Sequence, residues 1–173
     1  MTIGTTAAID DTNLFSQPYI NLFNLLDNQD NIPDPSGKTN RKMVYTRFPD
    51  VDGGSESFKG YPFIVVNPIG SEESNEFSLD RTRANVGWEV EVEVYSSDRI
   101  QNLQGNGRNY LDQISNNLIK TINSLSNKKT LSALGMSNLN ANVLSMDIIS
   151  LGGETTYRRR FMVEFSRRLI ISA

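Results

Sequence analysis

Cysteine and histidine are both missing from the 173 residues of this chain. Without cysteine there are no disulfides, no thiolate metal ligands and no thiol nucleophiles. Without histidine the commonest general base near neutral pH and the commonest nitrogen ligand for metals are gone as well. Charge of one sign is not in excess either. Seventeen basic residues stand against 20 acidic ones, a formal net charge of -3. General nucleic-acid binding would therefore need a local basic patch. No apolar run approaches the ~20 residues that a membrane-crossing helix requires. The opening stretch Met1–Asp11 has no basic region followed by an apolar one, so nothing in it reads as a targeting signal. The expectation is a protein that works where it is made, or in an assembly built there.

What is present is a globular composition, 38% apolar, on a chain of single-domain length. The clearest pattern is Val86–Tyr95, Val-Gly-Trp-Glu-Val-Glu-Val-Glu-Val-Tyr. Alternate side chains of a strand point to opposite faces. Val86, Trp88, Val90, Val92 and Val94 thus form an apolar face that must be covered. Gly87, Glu89, Glu91, Glu93 and Tyr95 form a face that need not be.

Around this strand the chain reads as follows. Residues 1–12 are a loose, polar lead-in. A helix follows, capped by Asp11, Thr12 or Asn13, with its body from about Ser16 and Pro18 early in it. Asp27–Gly37 stops it. Lys42–Phe48 alternates weakly as a short strand, and Pro49–Gly60 is a loop. Tyr61–Asn67 is an apolar run suited to burial on both faces. Residues 70–85 form a long arm between two strands that pair as a hairpin, acidic first and basic last. Such a connection is either a solvated tip or a contact arm, with Glu72, Glu73, Phe77, Arg81 and Arg83 as its contact candidates. Arg108–Leu125 carries the best helical stripe, Leu111, Ile114, Leu118, Ile122 and Leu125. Thr130–Gly135 is a short helical turn. Asn142–Ser150 alternates, with Leu144, Met146 and Ile148 inward, and Gly152-Gly153 turns the chain into the long strand Thr156–Ile171. The fold class is α+β. One domain is expected, a mostly antiparallel sheet of four to five strands packed on two main helices, with a hairpin arm.

Four constellations bear on chemistry. Glu89, Glu91 and Glu93 line one strand face, while Arg158, Arg160 and Arg168 line a face of the last strand. Opposite charges on neighbouring strands attract, so these two strands belong side by side in one sheet with their charged faces together. Carboxylates repeating at every second residue suggest a surface. Nothing near them would desolvate one and split the pair, as acid–base chemistry requires. Arg158–Arg160 and Arg167-Arg168 suggest phosphate contact, but they divide between two faces and lack interleaved aromatics. Gly105-Asn-Gly107 lacks the Gly-Lys-Ser/Thr of a phosphate loop. Asp50-Val-Asp52-Gly53 lacks the closing Glu of a calcium loop. Both read as turns, and no cofactor is implied.

The combination of Tyr61-Pro-Phe-Ile-Val-Val, Val86–Tyr95, the helix ending Leu118-Ile-Lys-Thr-Ile and Tyr157-Arg-Arg-Arg-Phe-Met-Val-Glu-Phe resembles the tail terminator (tail-completion, minor tail) proteins of long-tailed bacteriophages. The likeness runs from about Asn13 onward. It implies a structural virion protein with no enzymatic activity, made in the host cytoplasm. Such a protein forms a hexameric ring at the head-proximal end of the tail tube, ends tube polymerisation and meets the neck. The implied partners are further copies of itself, the tail tube protein and a neck or head-completion protein, with DNA only as passing cargo and no membrane. The Glu and Arg rows and the arm are then the interface candidates. Another neck component, such as a stopper or joining protein, or a baseplate-side subunit, stays open. So do two different classes, a small carboxylate- and metal-dependent enzyme such as a nuclease and a nucleic-acid-binding domain.

Overall fold

The computed structural model describes residues 3–10, 12–14, 16–38, 41–49, 59–67, 76–77, 83–98, 107–151 and 154–170. Its elements are α1 (Gln17–Leu26), β1 (Val44–Tyr45), β2 (Phe63–Val66), β3 (Glu76–Phe77), β4 (Arg83–Ser97), α2 (Gly107–Asn123), α3 (Leu125–Ala133), β5 (Ser137–Leu151) and β6 (Glu154–Ile170). The sheet runs β1-β2-β4-β6-β5, and β3 pairs with β4 off this path. Among the described residues only β1 and β2 pair in parallel; the other pairings are antiparallel. This is the single α+β domain expected, with five strands along the main path.

The alternating stretch sits at the middle of the sheet. Trp88, Val90 and Val92 lie opposite Phe165, Val163 and Phe161 of β6, and all six are buried. Trp88 stacks on Phe165 at 5.6 Å between ring centres. The α2 stripe Leu111, Ile114, Leu118 and Ile122 is fully buried in the same cluster, with Leu22, Phe23 and Leu26 of α1. Each such side chain contributes about 1.5–3 kcal/mol through removal from water. All four residues of β2 are buried, because it lies inside the sheet between β1 and β4.

Several boundaries differ from the sequence reading, each for a local reason. Helix α1 starts after Ser16, with Pro18 in its first turn, but Ser16 makes no side-chain cap bond. Thr12 and Asn13 do not cap it. Asn13 instead accepts from the Asp10 N–H through Oδ1, and its carbonyl accepts from the Gln17 N–H. Asp11 lies outside the described residues. The lead-in is also tied down at residues 3–10. Asn21 accepts from the Ala7 N–H and donates to the Ala7 carbonyl, Gln17 donates to Thr5, Ile9 is buried, and the Ile9 N–H donates to the Leu134 carbonyl. Polar side chains of α1 do this work, which a search for apolar periodicity does not register.

The strand expected over Lys42–Phe48 narrows to β1. The third helix is longer than the single turn expected, since the chain breaks at Ser124 in extended conformation and restarts at Leu125. Only Leu131 of that helix is buried, so it carries no stripe to read. Helix α2 begins at Gly107, one residue earlier than expected, because a close approach requires glycine there. A Cβ at Gly107 would lie 2.5 Å from the carbonyl carbon of Ser97. Asp98 accepts the Gly107 N–H at 2.9 Å, satisfying a free donor of the helix start.

The largest correction concerns β5. Leu144, Met146 and Ile148 do not point into the core; they are exposed, with Val143. β5 is the edge strand. The helices cover the first part of β5, where Leu139 is buried and Ala141 packs on the core, and leave the part from Val143 onward uncovered. A register shift between Val143 and Ser145 adds a bulge where this uncovered half begins.

Candidate interaction surface

The face of the sheet away from the helices divides into an aromatic end and an ionic middle. At the aromatic end, Tyr45, Phe63, Val65 and Tyr95 form a second buried cluster, with Tyr61, Ile149 and Leu151 packed on it. Phe63 stacks on Tyr95 at 4.8 Å, and Phe48 meets both rings edge-on. The Tyr61 hydroxyl reaches Thr156 of β6 at 3.1 Å. The sequence reading placed Tyr95 on this face but did not find its cover. The missing signal is non-local, because Phe48 and Tyr61 lie in irregular segments.

The ionic middle joins the predicted rows. Register places Glu93 opposite Arg160 and Tyr95 opposite Arg158. The side chains pair diagonally: Arg158 with Glu93 and Arg160 with Glu91, each at 3.4 Å. Asp147 of β5, not singled out from sequence, completes the set. It takes Arg158 at 3.0 Å and Arg160 at 3.9 Å, while Ser145 accepts from Arg160 Nε at 3.0 Å. Tyr95 donates to Glu93 at 2.9 Å. Burial first, then the Glu93 charge and that hydrogen bond, raise the Tyr95 hydroxyl well above its ordinary value. Hydrogen bonds from Arg158 and Ser145, with the charges of both arginines, hold the Asp147 carboxyl below the usual carboxylate range. For Arg158, burial works against the charge, but hydrogen bonds to Tyr95 and Asp147 prevail and the cation is reinforced.

Glu89 falls outside this network, and of Arg168 only the backbone register is described. Glu89 lies opposite Glu164 and Arg168 opposite Asn85. No described residue hydrogen-bonds or ion-pairs with the Glu89 or Glu164 carboxylate, and Glu89 is exposed. Of the arm, Glu72, Glu73 and Arg81 lie outside the described residues, as do Gly105, Gly152 and Gly153 and the segment Asp50–Gly53. Phe77 is in β3, paired with Ala84, and Arg83 opens β4 opposite Ile170. The strand therefore begins inside the stretch expected to be arm.

Two further features carry no periodic signature. Arg41 and Asp34 form an ion pair whose side chains are only 6% and 2% exposed. Arg41 also donates to the carbonyls of Gly60 and Pro62 at 2.7 and 2.9 Å. A groove of about 570 Å³ near the start of β5 is lined by Lys128, Lys129, Ser132, Met136, Ser137, Asn138 and Leu139. It offers cations and hydroxyls but no carboxylate. Among the described residues, no group of three or more Asp and Glu side chains is placed to hold a metal ion, and no helix is long and apolar enough to cross a membrane. No family model and no curated protein matches this chain.

Proposed function

We propose that this chain is a structural subunit of a bacteriophage tail, a tail terminator that assembles as a hexameric ring on the head-proximal end of the tail tube. The reading begins from the resemblance carried by the four quoted segments. The observation that carries it further is the division of the ionic face. Glu91, Glu93 and Asp147 are all paired with Arg158 and Arg160 within the subunit. Glu89 and Glu164, side by side in register, have no described counter-charge. A ring contact is heterologous and needs two different, complementary patches on each subunit. This acidic step supplies one. The basic half of the arm, with Arg81 and Arg83, supplies the other from a neighbour. Net negative charge also disfavours gripping DNA that passes through the bore. The chain acts in the virion, at the junction of tail and neck, and its other partners are the tube protein and a neck protein.

The test is native mass, alone and with the tube protein, for the unaltered chain and for Glu89→Arg. A hexamer that weakens on charge reversal and recovers when Arg81→Glu or Arg83→Glu is added supports the reading. A particle that is never larger than a dimer under either condition overturns it.

A further inference from the structure

The edge strand β5 is the part of the molecule least like a finished surface. Natural sheets blunt their edges with lysine, proline, bulges, short strands or a covering element; the bulges of β5 lie before Ser145, and from there to Leu151 its register is unbroken. β5 spans Ser137–Leu151 without lysine or proline, and among the described residues no strand pairs with its outer side. Its one charge, Asp147, is held by Arg158 of the adjoining strand. Beside this open ladder stand Val143 at 56% exposure, Leu144 at 47%, Met146 at 37% and Ile148 at 68%. Together they make an apolar strip on the order of 300 Å², comparable to the largest patch of a typical monomer, which is often functional.

The pattern within the strip selects its occupant. From Leu144 to Ile148 the sequence is Leu-Ser-Met-Asp-Ile. Read in reverse against itself, with Met146 at the centre, it places Leu144 opposite Ile148 and Ser145 opposite Asp147. The apolar residues stay together on one face and the polar ones on the other. No like charges meet, because each Asp147 faces a serine. In register, Asp147 neighbours Arg158 and Ser145 neighbours Arg160. The joined sheets would therefore carry one polar row, Arg158, Asp147, then Ser145 and Arg160 of the second copy. Each Asp147 would sit between guanidinium groups from both chains.

We infer that β5 pairs antiparallel with β5 of a second copy about a twofold axis at Met146, merging two sheets into one and covering the strip. This contact is isologous and so differs from the head-to-tail contact of a ring; it does not depend on the ring.

The absence of cysteine makes the register directly testable. In Met146→Cys the new thiols are the only ones in the sample, and the axis sets them opposite each other, within disulfide reach for an antiparallel pair. Leu125→Cys, at a residue 68% exposed on α3, is the control. Mild oxidation should yield at least ten-fold more cross-linked dimer from Met146→Cys than from Leu125→Cys. Ile148→Asp, whose side chain is already in water, should keep its circular dichroism and lose the dimer in light scattering. Cross-linking of Met146→Cys no greater than the control, or a monomeric unaltered chain at high concentration, overturns the inference. A ring without Met146 cross-links refutes this contact alone, and cross-linked dimers without a ring refute the ring alone.

Discussion

Arg41 and Arg158 each hold a carboxylate, but the two sites work differently. The Arg41–Asp34 pair is almost sealed from water, and its guanidinium also gathers the Gly60 and Pro62 carbonyls. The Arg158 site is half open, with side chains 27% exposed for Arg158, 12% for Glu93 and 36% for Asp147. The first ties together three irregular segments that share no ladder. The second lies across strands already joined by backbone hydrogen bonds. Burial makes the loss of one partner expensive, because the other charge is left without solvent or counter-ion. Exposure and sharing make each ladder pair modest, because water and neighbours substitute.

That contrast can be broken at its stronger end first. Arg41→Met should lower the unfolding free energy by about 3 kcal/mol, measured by urea titration. A loss no larger than that of Arg158→Ala would erase the distinction. The pH dependence of stability follows from the same site. Burial alone would raise Asp34, but hydrogen bonds from Arg41 and Ser36, with the Arg41 charge, bring its carboxyl below the usual value. A depressed carboxylate stabilises the fold above the unfolded value near 4 and loses that contribution as pH falls through its folded value. Melting temperature should therefore drop steeply below about pH 4, and Asp34→Asn should flatten that limb. A gentler slope of the same sign should remain from Asp147, whose carboxyl is also lowered.

The ladder should respond less. Arg158→Ala should cost about 1 kcal/mol, and part of that should disappear in 1 M salt, while the Arg41→Met effect persists. Smallest of all is Glu89→Gln, expected within about 0.5 kcal/mol of the unaltered chain. A large stability change there would assign Glu89 a structural partner and weaken its use as an assembly contact.

The ladder was readable from the chain because it is periodic. Glu89, Glu91 and Glu93 recur at the strand spacing, and the arginines of β6 answer them. The same regularity exposed the covered face through Trp88 and its valines, and α2 through Leu111–Ile122. Asp147 escaped because a single carboxylate on an edge strand makes no pattern. Asp34 and Arg41 escaped because they meet through loops whose path no local rule fixes. The inward placement expected for Leu144, Met146 and Ile148 failed for a related reason. Alternation reports that a strand has two faces, but not whether a helix extends far enough to cover one. For the interface candidates, the sequence supplied residue type and register, while pairing within the subunit separated Glu91 and Glu93 from Glu89.

The bond from Ile9 to Leu134 has a practical corollary. Leu134 precedes Gly135, beside which lies the Arg167 side chain of β6, so the segment around Ile9 and the end of β6 meet at the pole where β4 pairs with β3. The opposite pole holds Ser97, Gly107 and the facing residues Leu151 and Glu154. A fluorophore at Asp10→Cys, beside Ile9 and exposed, would mark the first pole, and one at the exposed Ser150→Cys the second.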